Sequence, residues 1–148
     1  MGDQGIRVLI VDDNDAVRDV LARALRRVPG LEVAGVAESG EQACEATQSL
    51  KPDVVVMDIR MQGIGGIEAA RRIATTSPDT CIIGVSASDG GPDVEAMRIA
   101  GVVDFVPKSS CVDRLVRSIQ GAVAVAAFSR LQPAEAAVDR MNSSRGAP

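Results

Sequence analysis

The chain is predicted to be an α/β domain built on a parallel β-sheet, and three observations carry that prediction. Short apolar runs such as Val8-Leu9-Ile10-Val11 and Val54-Val55-Val56-Met57 lack the in-and-out alternation of a half-exposed strand, as strands covered on both faces do. Segments with apolar residues at helical spacing lie between them. Proline- and glycine-marked breaks, among them Pro29-Gly30, Lys51-Pro52 and Ser77-Pro78, separate the two kinds of segment, so strands and helices alternate as in βα units.

Taken in order, the first strand ends in Asp12-Asp13, and a helix starts near Asp15 with Asp13 or Asn14 as its cap. That helix carries Val17, Val20, Leu21, Ala24, Leu25 and Val28 on one stripe and stops at Pro29-Gly30. Residues 31–36 read as the second strand, and Ser39-x-x-Gln42 is a capping box that opens a helix ending before Lys51-Pro52. The third strand runs into Asp58. Gly63, Gly65 and Gly66 then form a flexible loop into a helix with Ile67, Ala70 and Ile73 on one face.

A fourth strand is expected over residues 80–85, followed by a turn-rich loop, Ala87-Ser88-Asp89-Gly90-Gly91-Pro92. The next helix, 94–100, has a poor apolar stripe and is expected to be loosely anchored before Gly101 ends it. The fifth strand is placed at 102–106. The fifth helix begins near Ser110 with Val112, Leu115, Val116, Ile119 and Val123 facing the sheet. From Ser129 the sequence becomes small and polar, which reads as a linker or a weak helix with a disordered end, so the domain is bounded at 6–128 and the tail at 129–148.

Composition narrows the function classes. A chain of 148 residues is one ordinary domain. Its only aromatic residues are two phenylalanines, Phe105 and Phe128, which argues against a base-stacking platform for single strands, and a net charge of −4 argues against a phosphate-backbone footprint, so no nucleic acid is expected to bind. Cys44, Cys81 and Cys111 are widely spaced and the chain has no histidine, so they read as reduced thiols outside any zinc site. No apolar stretch is long enough to span a bilayer and no export signal is visible, which points to a cytoplasmic protein with no membrane association.

The chemistry-bearing residues all follow strand-like runs: Asp12 and Asp13 after the first, Asp58 after the third, Ser86 after the fourth, Lys108 after the fifth. In an open parallel sheet these carboxyl ends are where ligands gather. Three carboxylates brought together repel one another, and a divalent cation relieves that repulsion. Taken singly, the residues have plainer readings. Asp12 and Asp13 could cap a helix, Asp58 and Ser86 could serve turns, Lys108 could be a solvated charge and Phe105 simple core filling.

With Val11-Asp12-Asp13-Asn14, Met57-Asp58-Ile59-Arg60-Met61, Gly66 eight residues after Asp58, Val85-Ser86-Ala87 and Phe105-Val106-Pro107-Lys108 in hand, the chain resembles a two-component response-regulator receiver domain over roughly residues 6–127. The Asp104-Phe105-Val106-Pro107-Lys108-Ser109 run is similar to receivers of the helix-turn-helix-output (NarL/FixJ-like) subfamily. The resemblance implies a flavodoxin-like doubly wound sheet of five parallel strands in the order 2-1-3-4-5 with five helices. It implies that Asp58 accepts a phosphoryl group from a sensor histidine kinase, and that Asp12, Asp13, Asp58 and the backbone carbonyl of Arg60 hold Mg²⁺. It also implies that Lys108 and Ser86 engage the phosphoryl group, and that Ser86 and Phe105 switch the surface of the fourth helix, fifth strand and fifth helix.

Arg60 and Ser88 flank the site as candidates for tuning phosphoryl lifetime, and a homodimer is a candidate assembly. The chain departs from the family at Gln62, where proline is usual, and at Ser109, also often proline, so no cis peptide is expected after Lys108. Two other functions stay open from the residues alone. Asp13-Asn14-Asp15 has the D-x-D spacing of haloacid-dehalogenase-type phosphatases, and a receiver-like module could bind partners without phosphate.

Overall fold

The computed structural model describes residues 5–87 and 92–131. Five strands, β1 (Ile6–Val11), β2 (Leu31–Ala37), β3 (Val54–Asp58), β4 (Cys81–Ser86) and β5 (Asp104–Pro107), alternate with five helices, α1 (Asp15–Arg26), α2 (Gly40–Leu50), α3 (Gly65–Thr76), α4 (Pro92–Ala100) and α5 (Val112–Leu131). All strand pairs are parallel, in the order β2-β1-β3-β4-β5. This is the predicted fold, and the strand order reverses between β1 and β3.

Each central strand feeds two cores, because successive side chains point to opposite faces of a sheet. Leu9, Val11, Val55, Met57 and Ile82 pack with Ala43 of α2, Ala69, Ala70 and Ile73 of α3 and Met97 of α4. Val8, Ile10, Val54, Val56, Ile83, Val85 and Val106 pack on the other face with Ala22 and Leu25 of α1 and Leu115 and Ile119 of α5. This burial on both faces explains the unbroken apolar runs; each fully buried aliphatic contributes about 2 kcal/mol relative to exposure.

The helix starts follow their capping residues. Asn14, in extended backbone, accepts a hydrogen bond from the Val17 N–H, so it is the cap of α1, and Asp13 is left outside that role. Ser39 caps α2 by accepting from the Gln42 N–H, while the Gln42 side chain reaches back to the N–H of Glu38, one residue before the cap. Lys51, at φ 48, ends α2 in the left-handed region ahead of Pro52.

Several element details differ from the sequence reading. Val20 is 62% exposed, and Ala22 takes the place on the buried stripe of α1, since a straight helix turns Val20 off the face that holds Ala22 and Leu25. α4 is held to the core through one fully buried side chain, Met97, with Ile99 facing outward. β5 starts and ends slightly later than expected, and α5 starts at Val112 and continues to Leu131, past the expected boundary at 128. Its last turn is tied down by Arg130, which donates to the carbonyl of Asp79 at 3.2 Å, so Ser129–Leu131 extend the helix and the rest of the expected tail, 132–148, lies outside the described residues. Among the described residues no helix is long and apolar enough to cross a membrane.

Candidate functional site

Strand register assembles the site. Val11 pairs with Met57, so Asp12 and Asp58, the next residues in each chain segment, meet at the point where strand order reverses. Asp58 pairs with Val85 and Ser86 pairs with Pro107, which places Ser86 and Lys108 at the same sheet edge. The Lys108 N–H donates to the Ser86 carbonyl at 2.7 Å, fixing the start of the loop that carries the lysine.

The side chains converge as the sequence predicts. One carboxylate oxygen from each of Asp12, Asp13 and Asp58 lies within 4.8 Å of the others. Asp12 and Asp58 are buried, at 2% and 4% exposure, whereas Asp13 is open to solvent. The Lys108 ammonium stands 3.3 Å from Asp12 Oδ2 and 3.3 Å from Asp58 Oδ2, bridging the two buried acids.

Backbone hydrogen bonds orient both acids. Asp12 Oδ1 accepts from the Asn14 N–H at 2.9 Å, and Asp58 Oδ1 accepts from the Arg60 N–H at 3.3 Å. Burial pushes the Asp58 carboxyl above the usual carboxylate range, the Asp12 charge adds to that, and Lys108 opposes both. Burial pulls on the Lys108 amine in the opposite direction, but Asp58 and Asp12 outweigh it and hold the ammonium more basic than ordinary lysine.

This donor set fits a hard divalent cation. It consists of oxygens alone, one from each acid, gathered within 4.8 Å of one another, near the ~4.2 Å that separates opposite ligands of an octahedral Mg²⁺. An exposed Asp13 on one side leaves room for the waters that Mg²⁺ keeps.

Gly66 shows why this loop needs glycine. A Cβ there would lie 2.3 Å from the Asp58 carbonyl oxygen and 2.8 Å from that of Ile59, both rigid backbone atoms. Its N–H instead closes on the Ile59 carbonyl at 3.1 Å, folding the chain tightly after Asp58.

Phe105 is half-buried and packs against the core that contains Met97; a Cβ on Gly84 would meet its ring at 3.0 Å. A cleft of about 350 Å³ joins Ser86 and Phe105 to Val94 and Arg98 of α4 and Arg114 of α5. The Arg60 side chain turns outward to Asp93 in the first turn of α4, at 3.2 Å. Ser88 lies outside the described residues.

Some participants gave no signal in sequence. Arg18 donates to the Asp12 carbonyl at 2.7 Å and also pairs with Asp15, so α1 braces the acidic turn. Asp15 is therefore spent on Arg18 at the exposed face of α1 and is not part of the three-acid cluster, against the D-x-D phosphatase reading. Only their i+6 and i+3 spacing on a helix start hints at these contacts.

Comparison with known proteins agrees with this geometry. Residues 8–120 match the family described as the response regulator receiver domain. Response regulator GacA of Pseudomonas viridiflava is 39% identical over 115 residues, covering 78% of this chain and 54% of that protein. The chain thus spans about half the length of the curated relatives it matches. Among solved structures, the response regulator domain of Thermotoga maritima CheB is 34% identical with a TM-score of 0.76, covering 82% of this chain and 98% of that one. The signal receiver domain of the putative response regulator NarL from Mycobacterium tuberculosis is 28% identical with a TM-score of 0.77, covering 81% of this chain and 97% of that one. These likenesses support kinship with the helix-turn-helix-output subfamily and a role in phosphorylation-controlled signalling, as a module of a kind that sensor histidine kinases phosphorylate. The matched span, the strand order and the three-acid edge all lead to one placement: the chain belongs to the response regulator receiver domain family.

Proposed function

We propose that Asp58 is the phosphoryl acceptor of this receiver, taking the group from a phosphohistidine of a sensor histidine kinase. The observation that carries the reading is the Lys108 ammonium bridging Asp12 and Asp58 at 3.3 Å each, beside an open Asp13. An Asp58 oxygen forms a bond to phosphorus as the bond from phosphorus to the imidazole nitrogen breaks, and the imidazole keeps that electron pair and takes up a proton. Lys108, held beside Asp58, offsets charge on the incoming phosphoryl oxygens.

Asp12, Asp13, Asp58 and the Arg60 carbonyl would hold Mg²⁺, which when bound neutralises phosphoryl-oxygen charge. Ser86, at the same edge, donates to a phosphoryl oxygen from the position next to Phe105. The cleft shared by Ser86, Phe105, Arg98 and Arg114 supports a switch at the α4–β5–α5 face. Arg60 tunes the lifetime of the phosphoryl group, with Ser88 as a second candidate. The module acts in the cytoplasm, with dimerisation on phosphorylation as a further part of the reading, testable by light scattering with and without beryllofluoride.

The direct test is labelling with radioactive acetyl phosphate. Wild type is expected to take up label with Mg²⁺ and not with EDTA, and Asp58→Asn to take up none. Label persisting in Asp58→Asn contradicts the assignment. The intact set of acceptor, acids, hydroxyl and lysine disfavours a phosphate-independent module.

A further inference from the structure

The loop between Asp58 and α3 is pinned at its start and close, by the Arg60 N–H on Asp58 and the Gly66 N–H on the Ile59 carbonyl, and the span between is built of residues that do little to fix themselves. Ile64, the N-cap of α3, has helical backbone and makes no side-chain capping bond. Gly63 and Gly65 both sit at positive φ, +82 and +75, and Gln62 stands where the family usually has the rigid ring of proline. A loop so composed needs an outside anchor to hold one geometry.

That anchor comes from α2. The carboxylate of Glu41, in the first turn of α2, accepts a hydrogen bond from the Ile64 N–H at 3.2 Å. It also lies directly against Gly63, where an added Cβ would fall 2.7 and 2.8 Å from its two oxygens. The start of α2 is itself fixed against α3: a Cβ on Gly40 would lie 2.6 Å from Ile64 Cγ1 and 2.9 Å from the Gly65 carbonyl oxygen. A charged acceptor on a helix start packed closely against α3 therefore grips the α3 end of the loop.

The other end of the loop begins at Arg60, whose N–H bonds Asp58 and whose carbonyl is the backbone oxygen assigned to the cation above. From these contacts we infer that Glu41 is a positioning residue: by gripping Gly63 and Ile64 it fixes the Arg60 carbonyl relative to the three acids and so sets cation affinity. This rests on the cation reading given under the proposed function. Glu41 itself touches neither the cation nor the phosphoryl group.

Calorimetric titration of Mg²⁺ into the full chain tests it, alongside acetyl phosphate labelling rates across Mg²⁺ concentration. Glu41→Ala is expected to raise the Mg²⁺ Kd about tenfold, the low end for loss of an outer support, with the labelling rate recovering to the wild-type plateau at saturating Mg²⁺. Glu41→Gln, which keeps a side-chain oxygen acceptor of the same reach, is expected to recover most of the affinity. Since Glu41 is exposed, both variants are expected to melt in EDTA close to wild type, which separates positioning from folding. A Glu41→Ala Kd within twofold of wild type overturns the role of Glu41 alone. Failure of wild type to bind Mg²⁺ overturns the cation site, and this role with it.

Discussion

Replacing Asp58 by asparagine should stabilise the metal-free protein, although it removes the proposed phosphoryl acceptor. The acid is 4% exposed, with Asp12 close by and the Lys108 ammonium bridging the two. At an effective dielectric of about 20, the Asp12 carboxylate within 4.8 Å repels it by about 3–4 kcal/mol, and Lys108 at 3.3 Å attracts it by about 5 kcal/mol. These largely offset. Taking a carboxylate out of water costs several kcal/mol more, so the neutral amide should gain about 1–2 kcal/mol, or about 3–6 °C in Tm for a domain of this size.

The pH dependence has a definite sign. The Asp58 pKa is raised in the folded state, chiefly by burial, so the wild type holds its full stability below the ordinary carboxylate value and loses it as pH rises through the higher folded value. Asparagine does not titrate. The advantage of Asp58→Asn should therefore be at its maximum near pH 7.5 and shrink as pH falls towards about 4. Thermal melts in EDTA from pH 5 to 8 measure this, and added Mg²⁺ should raise wild type more than the variant. A variant less stable than wild type at pH 7.5 in EDTA, or an advantage that grows on acidification, refutes the balance of terms.

Gly66→Ala should cost about 1–3 kcal/mol in urea unfolding and slow acetyl phosphate labelling, since its Cβ would press on the Asp58 carbonyl 2.3 Å away; unchanged stability would contradict the tight turn. Gly84→Ala puts a methyl 3.0 Å from the Phe105 ring, so the ring must shift. Chemical shifts of Phe105 should move while labelling of Asp58 persists, and an unmoved ring would disprove the close packing. Lys108→Met should lower the labelling rate at saturating Mg²⁺ at least tenfold without weakening Mg²⁺ binding, because it removes the cation that faces the phosphoryl group but no oxygen ligand.

The strands were readable because burial on both faces leaves short unbroken apolar runs, such as Val8-Leu9-Ile10-Val11 and Val54-Val55-Val56-Met57, set off by proline and glycine breaks. The site was readable for a related reason: parallel strands all end at the same edge, so a polar residue directly after each run is placed by topology before any contact is known. Contacts made through space carry no such periodic signal. Arg18 reaching the Asp12 carbonyl, Arg60 reaching Asp93 and Glu41 reaching Ile64 depend on how helices dock. The extent of α5 was hidden similarly, because Ser129-Arg130-Leu131 is helical in a context where Arg130 finds the Asp79 carbonyl. Val20 and Ala22 were exchanged because a six-residue apolar stripe is wider than the face that actually meets the sheet.

Under the proposed function, the Asp58 carboxylate alone receives the phosphoryl group while Asp12, Asp13 and Lys108 hold the cation and balance the charge. Borohydride reduction after reaction with acetyl phosphate and Mg²⁺ cleaves an aspartyl phosphate to homoserine, and peptide mass spectrometry then locates it. Homoserine is expected at position 58 alone, and absent when Mg²⁺ is withheld. Homoserine at position 12 or 13, with Asp58 unmodified, would contradict it.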